Sequence, residues 1–213
     1  MGGNSAGQAA RSPAAAALSS PLRAAQVLAQ LLAAAQDAAA AEAALAALPQ
    51  LGAAGLPGLQ QLCQNPDPSV RWWAVRGLSA LQLADAVPIL ISCLQDAAEM
   101  VQAAALLALA SYADARAAAA VGGVLAGGSS YLVRQAGDAL RQMGAAGEVE
   151  LIAALRHPQE ATRVNAARAL AFTDGQQAIA PLFAALEDES AAVCYWVEQA
   201  LERRGTGMVY FQP

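Results

Sequence analysis

The chain has 213 residues, a formal net charge of −5 and 57% hydrophobic residues, with only 5% aromatic and 14% charged. Ala supplies 59 residues and Leu 28, which excludes disordered, collagen-like and β-rich classes. A helical chain of this length buries a sizeable core without a metal or disulfide staple.

All twelve basic residues are Arg, a bias that points to a GC-rich bacterial genome. The acidic balance argues against nucleic acid, because phosphate neutralisation needs clustered positive charge. Cys63, Cys93 and Cys194 are an odd set without a CxxC spacing, so a disulfide framework is not expected and a reducing, cytoplasmic setting is.

In chain order, residues 1–20 have neither the basic start nor the continuous apolar core of a signal peptide and read as a mobile tail. Residues 21–48 are Ala-rich but broken by Arg23, Gln26, Gln30, Gln36, Asp37 and Glu42. That pattern suits a soluble helical hairpin rather than membrane insertion. From Val70 onward a skeleton repeats. A starting apolar residue is followed by small or aliphatic residues at +4 and +7 and by Leu at +8 (Ala74, Gly77, Leu78 for the first). It returns from Val101, Leu132, Thr162 and Val193, at spacings of 31, 31, 30 and 31 residues, and a degenerate copy begins at Ala40. Apolar residues sit eleven and seven positions before each start, as Leu59 and Cys63 do before Val70. A spacing of four places each pair on one helical face.

Each unit is therefore two short helices, and the pairs fall at about 21–48, 52–81, 84–111, 115–142, 145–171 and 175–203. Polar turns such as NPDPS, GGSS and EDES separate the helices, with Asn65, Asp96, Ser129 and Asp188 as cap or turn residues. One such pair cannot bury its apolar face alone. Stacked pairs can, so the fold class is an all-α solenoid of about six hairpins over residues 21–203.

The phrases DPSVRWWAVRGLSAL and ADAVPILISCLQD resemble the short HEAT-like repeats of the phycobilisome lyases. The resemblance covers about residues 50–203. It implies a right-handed superhelix with first helices on the convex side and second helices on the concave side, and a binding scaffold rather than an enzyme.

Offsets 0, +4, +7 and +8 of the second helices share one face and form the core. Offsets −1, +2, +3 and +6 form an adjacent stripe. It carries Trp72, Trp73, Arg76, Met100, Leu107, Tyr131, Arg134, Asp138, Arg168, Tyr195, Trp196 and Gln199, and so all three Trp of the chain. These are residue types that anchor partners. The expectation is a protein or peptide partner, held by aromatic anchors and paired through Arg76, Arg134 and Arg168 with its carboxylates. Trp at these offsets has a second reading, packing between neighbouring second helices. Arg71 and Arg163, at offset +1, are instead expected to form Arg–Asp ladders with the aspartates of the turns.

No catalytic site, metal or cofactor is expected. His157 is the single histidine, whereas deoxyhypusine hydroxylase, an enzyme of similar fold, needs several His–Glu pairs for iron. Cys63 and Cys93 fall in apolar registers and read as core thiols. Gly122, Gly123, Gly127 and Gly128 mark a weakened or tightly packed helix, or a flexible point. A bilin-lyase-like subunit is the alternative reading: the groove would hold a tetrapyrrole and its arginines the propionates. Gly205 ends the last helix. Met208–Phe211 in the C-terminal tail, 204–213, either cap the last hairpin or bind a partner, a second copy included.

Overall fold

The computed structural model describes residues 27–30, 33 and 37–206; the tail readings for 1–20 and for 207–213 lie outside these residues. No strand occurs among them. The α-helices seen from end to end are α1 (Ala38–Ala47), α2 (Leu56–Leu62), α3 (Pro68–Leu81), α4 (Val87–Cys93), α5 (Glu99–Tyr112), α6 (Ala118–Gly127), α7 (Ser130–Gln142), α8 (Ala145–Ala154), α9 (Glu160–Leu170), α10 (Ile179–Ala185) and α11 (Ala191–Arg203). Short 3-10 turns lead into α2, α4, α6 and α10. The expected hairpins follow in order: α2–α3, α4–α5, α6–α7, α8–α9 and α10–α11.

The repeat register is the core register. Every starting residue, Val70, Val101, Leu132, Thr162 and Val193, is buried, and so is every residue at +4 and +8. Leu59, Leu90, Val121, Leu151 and Leu182, eleven before each start, have no exposed surface at all. Thr162 keeps its hydroxyl in the core by donating to Leu125 O of the preceding hairpin at 3.0 Å. Small residues at +7 let helices approach closely: a Cβ at Gly77 would meet Leu59 Cδ2 at 2.7 Å.

Consecutive second helices touch throughout the stack, from α1 through α3, α5, α7 and α9 to α11. Among the described first helices only α6 and α8 pack on each other as closely. The second helices are thus the tighter, inner wall of the solenoid, and the first helices fan out around them.

Polar side chains lock the turns with the same period. Arg71 Nη1 donates to Asn65 O at 2.9 Å, Gln102 Nε2 to Asp96 O at 2.5 Å, Arg163 Nη1 to His157 O at 3.0 Å, and Cys194 Sγ to Asp188 O at 3.2 Å. Each spans six residues from offset +1 and satisfies a carbonyl of the turn that follows a first helix. The expected ladders are present. Arg71 binds Asp96 with both Nε and Nη2 at 2.7 Å, and Arg163 binds Asp188 at 2.7 and 3.1 Å. Both aspartates also accept a backbone N–H, from Ala98 and Ser190. Asn65 and Ser129 serve as expected, while Asp67 and Ser190 are further caps. Helix α6 runs unbroken through Gly122 and Gly123. A Cβ at Gly122 would meet the carboxylate end of the half-buried Glu150 side chain, which can swing aside.

Candidate binding groove on the inner wall

The stripe divides into three parts. The first is a groove of about 830 Å³ between α1, α3, α5 and the start of α7. Trp72 and Arg76 of α3 form one side, Leu107 and Tyr131 the other, and Ala103, Ala104 and Ala108 of α5 the floor. The hollow lies over α5, which presents Ala103 and Ala104 where α3 presents Trp72 and Trp73 and α7 presents Arg134 and Gln135. Met100, Leu107 and Tyr131 are 46%, 59% and 53% exposed, a concentration of apolar surface unusual for a folded chain. Ser79 and Ala80 of α3 also line it, as do Glu42, Leu45 and Ala46 of α1 and Pro49. The stripe pattern did not contain them, because the degenerate first copy has lost its aromatic signature.

Trp72 and Trp73 are sequence neighbours with different roles. Trp72 is half-buried at the rim, whereas Trp73 is only 7% exposed and belongs to the core cluster. Offset +3 borders the core face, and the Trp73 ring turns inward from it, whereas Trp196 at the same offset stays half-buried. Trp73 is therefore removed from the free wall. The two rings meet edge to face, with centroids 4.8 Å apart.

Arg76 is also not free for a partner. Its Nη1 and Nη2 donate to the Glu42 carboxylate at 2.6 and 3.2 Å, and its guanidinium lies 4.9 and 4.8 Å from the centroids of Trp72 and Trp73. The fork ties α1 to α3 and neutralises both charges. The groove lining then has no net charge, since Glu42 and Arg76 are its sole ionised residues.

The second part is a polar saddle. Arg168 Nη2 lies 3.1 Å from Asp138 Oδ1 and donates to Arg134 O at 3.3 Å, so this arginine too is paired within the chain. Arg134 is exposed. The third part lies on α11. Tyr195 is 55% exposed, and Trp196 is half-buried between Tyr195, at 5.2 Å, and Phe172, at 6.3 Å. Arg203 stacks 4.5 Å over Phe172. Phe172 was missed because it follows the end of α9, outside the stripe register. Gln199 turns to Glu202. Of the twelve stripe residues, the groove thus gathers Trp72, Arg76, Met100, Leu107 and Tyr131, and leaves the others along the wall.

His157 Nδ1 accepts from Gln159 N at 3.2 Å and serves its turn. Among the described residues no group of three or more His, Cys, Asp or Glu could hold a metal ion, and no helix is long and apolar enough to cross a membrane.

No curated protein sequence matches the chain. Among solved structures, a designed armadillo repeat protein in complex with the peptide (KR)4 is similar over 84% of this chain and 98% of its own, at 20% identity and a TM-score of 0.51. The complex of CpcE and CpcF of phycocyanin lyase from Nostoc sp. PCC7120 is similar over 84% of this chain and 76% of its own, at 22% identity and a TM-score of 0.50. At such identities the likeness is one of fold, the α-solenoid. The sequence profile of HEAT repeats matches residues 25–98, 56–141 and 148–208. The chain belongs to the HEAT repeat family.

Proposed function

We propose that the protein is a non-enzymatic scaffold whose inner groove holds a segment of a protein or peptide partner. The observation that carries this reading is the hollow of about 830 Å³ rimmed by Trp72, Met100, Leu107 and Tyr131. It is open, uncharged overall and carried on helices that pack closely on one another. A pre-ordered apolar wall of this kind gains affinity by excluding water around an apolar anchor, with little ordering to offset. The segment therefore offers aromatic or aliphatic side chains. The acidic character expected of it loses its support at Arg76 and Arg168, whose charges are matched by Glu42 and Asp138.

The same pairing weighs against a tetrapyrrole in the groove, since two of the three arginines meant for propionates already hold carboxylates. The test is capture of partners from a lysate of the source organism by the wild-type chain and by Trp72→Ala and Leu107→Arg. Loss of the same captured protein in both variants, with helicity retained, supports the reading. Capture unchanged in both, or a visible absorption band acquired on incubation with bilin, refutes it.

A further inference from the structure

The C-terminal end of the stack, formed by α10 and α11, has two unlike halves. The fifth position after each repeat start is buried in α3, α5, α7 and α9, as Val75, Leu106, Gly137 and Ala167. In α11 that position is Glu198, which is exposed, and Glu202 one turn further on is exposed as well. This half of the end is polar and needs no cover. The α10 half differs. The seventh position before each start is buried as Cys63, Leu94, Leu125 and Leu155, but as Leu186 it is only half-buried. Ile179 is half-buried too, and Phe183 is 41% exposed. Spacings of four and three put these three side chains on one face, an apolar strip along the end of the solenoid.

The chain leaves α11 on a path the fold has already used twice. Gln82 and Ala113 end α3 and α5 in left-handed backbone, with φ at 50°, and Gly205 ends α11 in the same way, with φ at 70°. The three positions are equivalent in the repeat. The N–H and Oγ1 of Thr206 both donate to Leu201 O, at 3.1 and 2.9 Å, and fix the turn. After Gln82 and Ala113 the chain enters the 3-10 turns Ala84–Ala86 and Ala115–Ala117, and the second of these packs on the preceding first helix, α4. The last residue of each turn and the one after it are buried: Ala86 with Val87, and Ala117 with Ala118. Their flanks, Asp85 and Pro88, Arg116 and Ala119, are exposed. Counted from Gly205 by the same steps, the buried pair falls on Val209 and Tyr210, and the exposed flanks fall on Met208 and Phe211.

We propose that the segment Gly207–Phe211 follows this path and closes the stack, with Val209 and Tyr210 laid over Ile179, Phe183 and Leu186 of α10. The register selects this occupant, since it continues an interface present at α4. The groove on the inner wall is out of reach for the same segment. Five extended residues span at most about 18 Å, whereas α11 stands three second helices from α5, at roughly 8–10 Å per helix. Closure of the end removes apolar surface that would otherwise invite a second stack, and it is independent of what the groove holds.

The test is hydroxyl-radical footprinting of the full chain, read residue by residue by mass spectrometry against the same chain in urea. The expected result is protection of Tyr210, with Met208 and Phe211 labelled as they are in urea. Tyr210→Asp is expected to release labelling at Phe183 and Leu186 and to lower the melting temperature by about 2–4 °C, while Phe211→Asp changes neither. Tyr210 labelled as freely as in urea would overturn the proposal. So would protection that fades on dilution, which puts the segment on a second copy, or a Tyr210→Asp variant that uncovers Met100 and Tyr131 in the groove instead of α10. The wild-type footprint decides the matter even where the aspartate variant folds poorly.

Discussion

Ala113 ends α5 in left-handed backbone, with φ at 50°, and Gln82 ends α3 in the same way one repeat earlier. Replacing Ala113 by glycine is the most direct test of the helix-ending geometry. An L-residue in this region loses roughly 1–2 kcal/mol to contact between its Cβ and the carbonyl that follows. Glycine removes that contact but brings about 0.5–1 kcal/mol of extra chain entropy to the unfolded state. Ala113 is exposed, and its N–H donates to Leu109 O at 3.1 Å, a bond the substitution keeps. The net gain is about 0.5–1 kcal/mol, which for a chain of this length raises the melting temperature by about 1–4 °C. Gln82→Gly is expected to gain less, because the Gln82 amide donates to Ser79 O at 2.7 Å. Gly144 is the opposite control: with φ at 63° and ψ at −135° it occupies backbone that L-residues avoid. Gly144→Ala should therefore lower the melting temperature, by an amount set by about 1–3 kcal/mol of strain. Thermal melts followed by far-UV circular dichroism measure all three. An Ala113→Gly variant that melts lower than wild type, beside a Gly144→Ala variant that melts unchanged, would refute the reasoning.

The neighbouring tryptophans should separate cleanly: Trp73→Ala empties a core site and costs about 3–5 kcal/mol in denaturant unfolding, while Trp72→Ala weakens partner capture and leaves unfolding closer to wild type. Gly175→Ala would drive a Cβ into the carboxylate of Glu148, which is buried beside Arg204 and accepts from Gln177. It is expected to cost about 1–3 kcal/mol, and a double-mutant cycle with Glu148→Ala should recover part of that loss. The acid limb of stability is also specified. Hydrogen bonds from Arg71, Arg163 and Arg116 hold the Asp96, Asp188 and Asp114 carboxyls below the ordinary value of 3.8, down to about 2 for Asp114. Their folded values are lowered, so their contribution is complete above the ordinary value and is lost as pH falls through the lowered one. Melting temperature should fall between about pH 4 and pH 2, and the fall should be shallower in Asp96→Asn/Asp188→Asn; an equal slope would count against the ladders.

What the sequence determines by itself is whatever depends on one helix and its period. The offsets 0, +4 and +8 face the core in every unit because 3.6 residues per turn bring them to one side, whatever the neighbours are. The Arg–Asp ladders were legible for a related reason: Arg71 and Arg163 hold the same repeat position, and a strict period carries one local geometry along the stack. Tertiary packing decided what two helices must settle between them. Trp72 and Trp73 differ by one residue, and only the approach of neighbouring helices seals one ring and leaves the other at a rim. Arg76 and Arg168 look unpaired in a linear reading; Glu42 and Asp138 reach them because stacking brings residues thirty or so apart to within a few ångströms. Register along one chain states which face a side chain takes but not which atom it meets across the gap.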